Sequence, residues 1–94
     1  MMKIDATDAT PGRKTVYVVQ PFEMRRMGKR MGLGPSAPVA ARDDGHARLL
    51  LERALHRTGI VGAVAFSRTG DVSTGEFDEP IIIGQVGEVP DELV

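Results

Sequence analysis

The sequence predicts an α+β fold: a small three- or four-stranded sheet packed against one helix, in the order β-(β)-α-β-β. Three observations predict it. Residues 15–22, TVYVVQPF, concentrate β-branched and aromatic residues, the composition of a pleated, half-buried strand. Ala47, Leu50, Leu51, Ala54 and Leu55 recur at i, i+3, i+4, i+7 and i+8, which is one apolar stripe along a helix. Two further apolar runs follow, IVGAVAFS over 60–67 and IIIGQV over 81–86, separated by a polar, glycine-containing stretch.

The elements follow in order. Residues 1–13 are polar and aperiodic and end in Pro11-Gly12, so they read as a flexible tail, with a single domain over 14–94. In the first strand Val16, Val18 and Gln20 share one face, while Tyr17 and Val19 share the other. Valines on both faces imply a strand covered on both sides for part of its length. Pro21 lacks an N–H, so the strand is expected to end there or to run along an edge. The stretch EMRRMGKRMGLGPS contains Gly28, Gly32 and Gly34 and repeats Arg-Met-Gly at 26–28 and 30–32. It reads as the tip of a long hairpin. Residues 37–42, APVAAR, are compatible with a short returning strand, which Pro38 would place at an edge.

The helix is expected over 44–58. Asp43 or Asp44 can cap it, Arg57 suits its C-terminal end, and Gly59 stands where a left-handed residue closes a helix. In the strand at 60–67, Val64 and Phe66 oppose Ala63 and Ala65. The pattern leaves open which pair faces the helix. A parallel pairing of 15–22 with 60–67 would require a right-handed crossover.

Composition narrows the function. The 94 residues hold no cysteine, which excludes disulfides, thiolate metal sites and a cysteine nucleophile. That is consistent with a reducing, cytoplasmic compartment. The N-terminal residues lack the apolar core of a secretion signal, and no apolar run approaches the ~18 residues of a membrane-spanning helix. Charge is uneven: residues 1–42 carry eight Lys/Arg against three Asp/Glu, and 43–94 carry four Arg against ten Asp/Glu. The plain reading is that the halves fold together and neutralise each other; the alternative is a partner for one of them.

Four segments, VYVVQPF, AFSRTGD, GEFDEP and GEVPDE, in this order and spacing, resemble a family of short uncharacterised bacterial proteins. The resemblance covers most of residues 15–92. It implies a self-standing domain and no particular activity. Tyr17-Val18-Val19-Gln20, followed by a leucine- and arginine-rich helix and a strand, is similar to peptidoglycan-binding SPOR domains. In those the helix follows the first strand almost directly; here about twenty residues intervene.

The candidate interaction residues are Met24, Arg25, Arg26, Met27, Lys29, Arg30 and Met31. Four cations in six residues can hold phosphates by releasing counterions, but no aromatic is interleaved for base stacking. Methionines suit an adaptable protein contact. The plain alternative is a solvated loop held by the acidic half. A second candidate, Ser67, Arg68, Thr69, Gly70 and Asp71, has the composition of an anion nest or of a turn closed by its own side chains; the turn is preferred, since no P-loop ending follows. Asp71, Glu76, Asp78 and Glu79 do not match a calcium loop, because the sixth position is Glu76 and not glycine. His46 and His56, ten residues apart on one helix, lie about 15 Å apart along its axis and cannot share a metal. No cofactor or metal is expected, and no arrangement names a reaction. The leading expectation is a non-catalytic protein-interaction module, including a homodimer through an exposed strand edge. A nucleic-acid binder using 25–30 comes second, and an enzyme of unknown reaction third.

Overall fold

The computed structural model describes residues 12–91. The expected tail lies almost wholly outside them, but its last residue, Arg13, opens the first strand. The elements are β1 (Arg13–Met27), β2 (Arg30–Pro35), β3 (Val39–Ala41), α1 (Asp44–Ala54), β4 (Ile60–Asp71), β5 (Glu76–Phe77) and β6 (Ile81–Gly87). The class is α+β, with six strands where three or four are expected. The sheet is nevertheless four positions wide. β2 and β3 share one side of β1, β4 takes the other, and β5 and β6 share the far side of β4.

Every pairing is antiparallel. β1 and β4 are neighbours, from Arg13 opposite Asp71 to Glu23 opposite Ile60, so no parallel crossover exists. Two register shifts break the ladders: one between Phe22 and Glu23 leaves Val61 unmatched, the other between Ala65 and Phe66 leaves Ile83 unmatched. Such bulges add local twist and bend the strand, and the sheet curls.

Pro21 neither ends β1 nor lies on an edge strand. It sits where β1 changes partner, between β3, paired at 17–19, and β2, paired from Phe22 onward. Its carbonyl accepts from Ser36 N–H on that side at 2.9 Å. N–H and C=O of a strand residue point the same way, so the missing donor faces the gap and no ladder bond is lost.

The helix is shorter than the periodicity predicts. It ends at Ala54 with Leu55 as C-cap, and the chain continues in tighter turns, His56 N–H to Arg53 O and Arg57 N–H to Ala54 O. Leu55 is therefore exposed and leaves the stripe. Gly59 has φ +87° and opens the way into β4. The N-terminus is as expected: Asp43 caps it by accepting from His46 N–H at 2.8 Å. The His46 ring in turn accepts from Arg42 N–H at 3.0 Å through Nδ1.

The core settles which face of β4 meets the helix. Ala47, Leu51 and Ala54 pack on Val19, Ala63 and Ala65, with Tyr17, Ile83 and Val86 around them. Alanine against alanine lets helix and sheet approach closely. The opposite face of the sheet, with Val16, Val18, Gln20, Phe22, Val64 and Phe66, carries no helix among the described residues; β1 is covered on both sides only toward its middle, where Val19 and Pro21 are buried on the helix side and Phe22 on the other.

Candidate functional site: an apolar trough on the helix-free face

The helix-free face is concave, and two glycines make it so. Gly62 and Gly70 sit at positions of β4 that point to this side. A Cβ on Gly70 would stand 2.6 Å from Phe77 Cα, and one on Gly62 would collide with the backbone of Glu88. Only glycine leaves room for the edge segments to fold over the face at both ends. Gly87, with φ +65°, turns the chain toward Gly62, and Glu88 N–H then bonds Val61 O at 2.9 Å.

The result is an open trough of about 390 Å³, lined by Gln20, Phe22, Pro35, Val64, Phe66, Arg68, Pro80 and Ile82. Six of the eight are apolar. Val64 and Phe22 form its floor and are buried, while Ile82 on the rim is 42% exposed. Gln20 donates to Pro21 O at 2.8 Å and to Ser36 O at 2.7 Å, which fixes its amide against the connection from β2 to β3. Arg68 lies over the Phe77 ring, 5.2 Å from its centre, a cation–π contact that holds the guanidinium in place. The lining holds no acid, histidine, lysine or hydroxyl group.

The trough continues onto a projecting arm. β1 and β2 pair from Phe22 opposite Pro35 to Met27 opposite Arg30. The connection is Gly28-Lys29, and Gly28 has φ +67°, as a two-residue hairpin turn requires. β2 packs on no element but β1, and the molecule is elongated, 60 × 26 × 19 Å. The expected hairpin is therefore present, but as a regular two-stranded ribbon and not as a loop.

Strand alternation divides the seven candidate interaction residues. Met24 and Arg26 follow Phe22 on the trough side, with Leu33 and Met31 opposite them. Met24 and Met31 are 41% and 57% exposed. Arg25 and Met27 lie on the other side, over Gly34 and Gly32. Arg25 is tied there by Glu23 at 2.8 Å and by Pro35 O at 2.6 Å. Arg26, Lys29 and Arg30 make no ion pair among the described residues. The arm is not held by the acidic half: residues 71–79 lie at the opposite end of β1, beside Arg13. One ion pair among the described residues joins the two halves of the chain, Arg13 to Asp78 at 2.9 Å.

The second candidate is corrected. Ser67, Arg68, Thr69, Gly70 and Asp71 form the second half of β4, not a turn. Extended backbone does not gather successive N–H groups as an anion nest does. The sequence reading fails because β-branched Thr69 and the ladder with β1 outweigh the turn character of Gly70. Thr69 and Thr15, opposite each other, share a hydroxyl hydrogen bond of 2.7 Å. The turn begins at Asp71, whose side chain accepts from Ser73 Oγ at 2.6 Å and Ser73 N–H at 2.8 Å. These bonds, the side-chain one first, hold the Asp71 carboxyl below the usual carboxylate range. His56 lies beyond the helix, so the two histidines do not share it. No group of three metal-ligating side chains occurs among the described residues.

Fold and site together define a small α+β domain whose curled antiparallel sheet carries, among the described residues, a helix on one face and an apolar trough on the other. Compared with known proteins, the chain matches no family model, no curated protein and no solved structure. No helix among the described residues is long and apolar enough to cross a membrane.

Proposed function

We propose that the protein is a non-catalytic interaction module whose docking surface is the trough and the adjoining side of the arm. The observation that carries this reading is a concave apolar face with no helix of the described residues over it. Its volume falls within the range of binding pockets, yet its lining offers neither a general acid or base nor a nucleophile. Exposed methionines on the arm extend the surface with adaptable apolar contacts.

The test is co-purification. Ile82→Glu places a charge on the trough rim at a half-exposed position, and Leu49→Glu places one on the exposed helix surface. A partner that is lost with Ile82→Glu and kept with Leu49→Glu supports the trough. Equal retention by both variants overturns it.

A homodimer through the free edge of β6 is disfavoured by charge. Antiparallel self-pairing of Ile81–Gly87 brings Asp78 and Glu79 of one copy toward Glu88 of the other. Charges flanking an edge strand are a common device against such pairing. Sedimentation at high concentration should give the monomer mass, and a dimer would revive the edge.

The nucleic-acid reading retains one specific observation: a β-ribbon that projects from the body, with Arg26, Lys29 and Arg30 near its tip making no ion pair among the described residues. Strands of this kind can enter a groove. Anisotropy of random duplex and single-stranded oligonucleotides at low and physiological salt tests it. Binding that collapses with salt favours it, and none at low salt removes it.

A further inference from the structure

We propose that the trough takes an extended, apolar peptide segment of about ten residues with acidic residues at both ends. This rests on the docking reading above and names its ligand.

Charge is placed unevenly along this face. Alternation on β1 puts Lys14, Gln20, Phe22, Met24 and Arg26 on the helix-free side. Arg68 of β4 lines the trough and stands opposite Val16. The charged residues that the strands point to this side are thus Lys14, Arg26 and Arg68, all cationic. They cluster at two places, Lys14 with Arg68 near one end and Arg26 on the arm. From Val16 to Arg26 is ten residues of one strand, about 33 Å at 3.3 Å each. An extended segment that meets both places needs about ten residues. Between them the surface is apolar apart from Gln20, whose amide is already bonded to Pro21 O and Ser36 O.

This spacing selects against a polyanion. A nucleic-acid strand carries a phosphate every ~3.4 Å along a duplex, and most of them would lie over Val64, Phe66 and Ile82 without a counter-charge. A segment with acids only at its ends avoids this cost. Its inward side chains fill the trough, and its end carboxylates meet guanidinium groups, one of them already held in place by Phe77. Arginine favours such contacts because its planar fork matches a carboxylate.

The experiment uses the full chain and three labelled probes in fluorescence anisotropy. One peptide has paired acids at each end and alternating Val and Thr between. The second has the same centre with lysines at the ends. The third probe is a single-stranded thymidine oligonucleotide of similar length. The acid-ended peptide should bind at least tenfold more tightly than the lysine-ended one. In the double variant Arg26→Glu and Arg68→Glu the preference should invert, a gain of binding that misfolding cannot produce. Equal binding of the two peptides overturns the proposal, even if the variant fails to fold. Tighter binding of the oligonucleotide than of either peptide replaces it with the nucleic-acid reading. If no peptide binds while Ile82→Glu still removes a co-purifying partner, the ligand class is wrong and the docking surface stands.

Discussion

Asp43 and Asp71 each hold a local structure through one carboxylate, and the two differ in what they control. Asp43 accepts His46 N–H at the first turn of α1 and satisfies a donor that the helix leaves unpaired. Asp43→Ala should cost about 0.5–2 kcal/mol, read as a lower urea midpoint with an unchanged slope. Asp71 anchors the turn into β5 through Ser73. Its folded-state carboxyl is lowered by those bonds, so the charged form is favoured by folding. The stability it contributes is present above the ordinary carboxylate range and is lost as pH falls through the lowered value. Asp71→Asn should therefore flatten the acid limb of a melting-temperature profile. An unchanged acid limb would contradict this role. The cap was legible because Asp43 precedes an apolar stripe. The Asp71–Ser73 bonds were legible only in kind: the residues are turn formers, but the turn lies after Asp71 and not before it.

At the scale of elements, the strands at 15–22, 60–67 and 81–86 and the helix start were readable from composition and period. Their lengths were not. β1 runs on past Pro21 because the missing N–H falls at a change of partner, a tertiary fact that no local pattern contains. β4 extends to Asp71 because β1 and β5 offer it ladders on both sides. Gly62 and Gly70 were visible as residues, but nothing in their sequence context showed that backbone would pass over them. Gly62→Ala or Gly70→Ala should each destabilise by roughly 1–3 kcal/mol, against ordinary alanine tolerance at Gly45, which lies on the exposed first turn of the helix. Thermal melts of the three variants make the comparison. The arm gives a second prediction. A two-stranded ribbon is marginal by itself, and β2 packs only on β1. Amides of residues 24–32 should exchange with solvent faster than those of 63–66 by native-state hydrogen exchange.

Across the whole molecule, α+β class and the single helix were legible, and the open face was not. The sequence places Phe22, Val64, Phe66 and Ile82 in three separate strands. Only register brings them together with Arg68. The cations of the arm were visible as a cluster in sequence, yet the strand splits them: Arg25 is consumed by Glu23 and Pro35, while Arg26 joins the trough side. Charge asymmetry between the halves suggests mutual neutralisation, but the arm and the acidic turn occupy opposite ends of β1, and among the described residues only Arg13–Asp78 pairs a charge of one half with one of the other.

The antiparallel pairing of β1 with β4 also governs how quickly the chain reaches this arrangement. Its register joins residues about 40 to 60 positions apart, so the central ladder must close a long loop before it gains contacts. The arm, by contrast, closes over two residues. The hairpin should form within microseconds, while the central ladder, like other sheets built on distant pairings, should complete in milliseconds to seconds. Stopped-flow refolding followed through Tyr17, which lies against the helix, reports the slow event. A Tyr17 signal already fully native within the dead time of mixing would mean that the distant pairing does not limit folding.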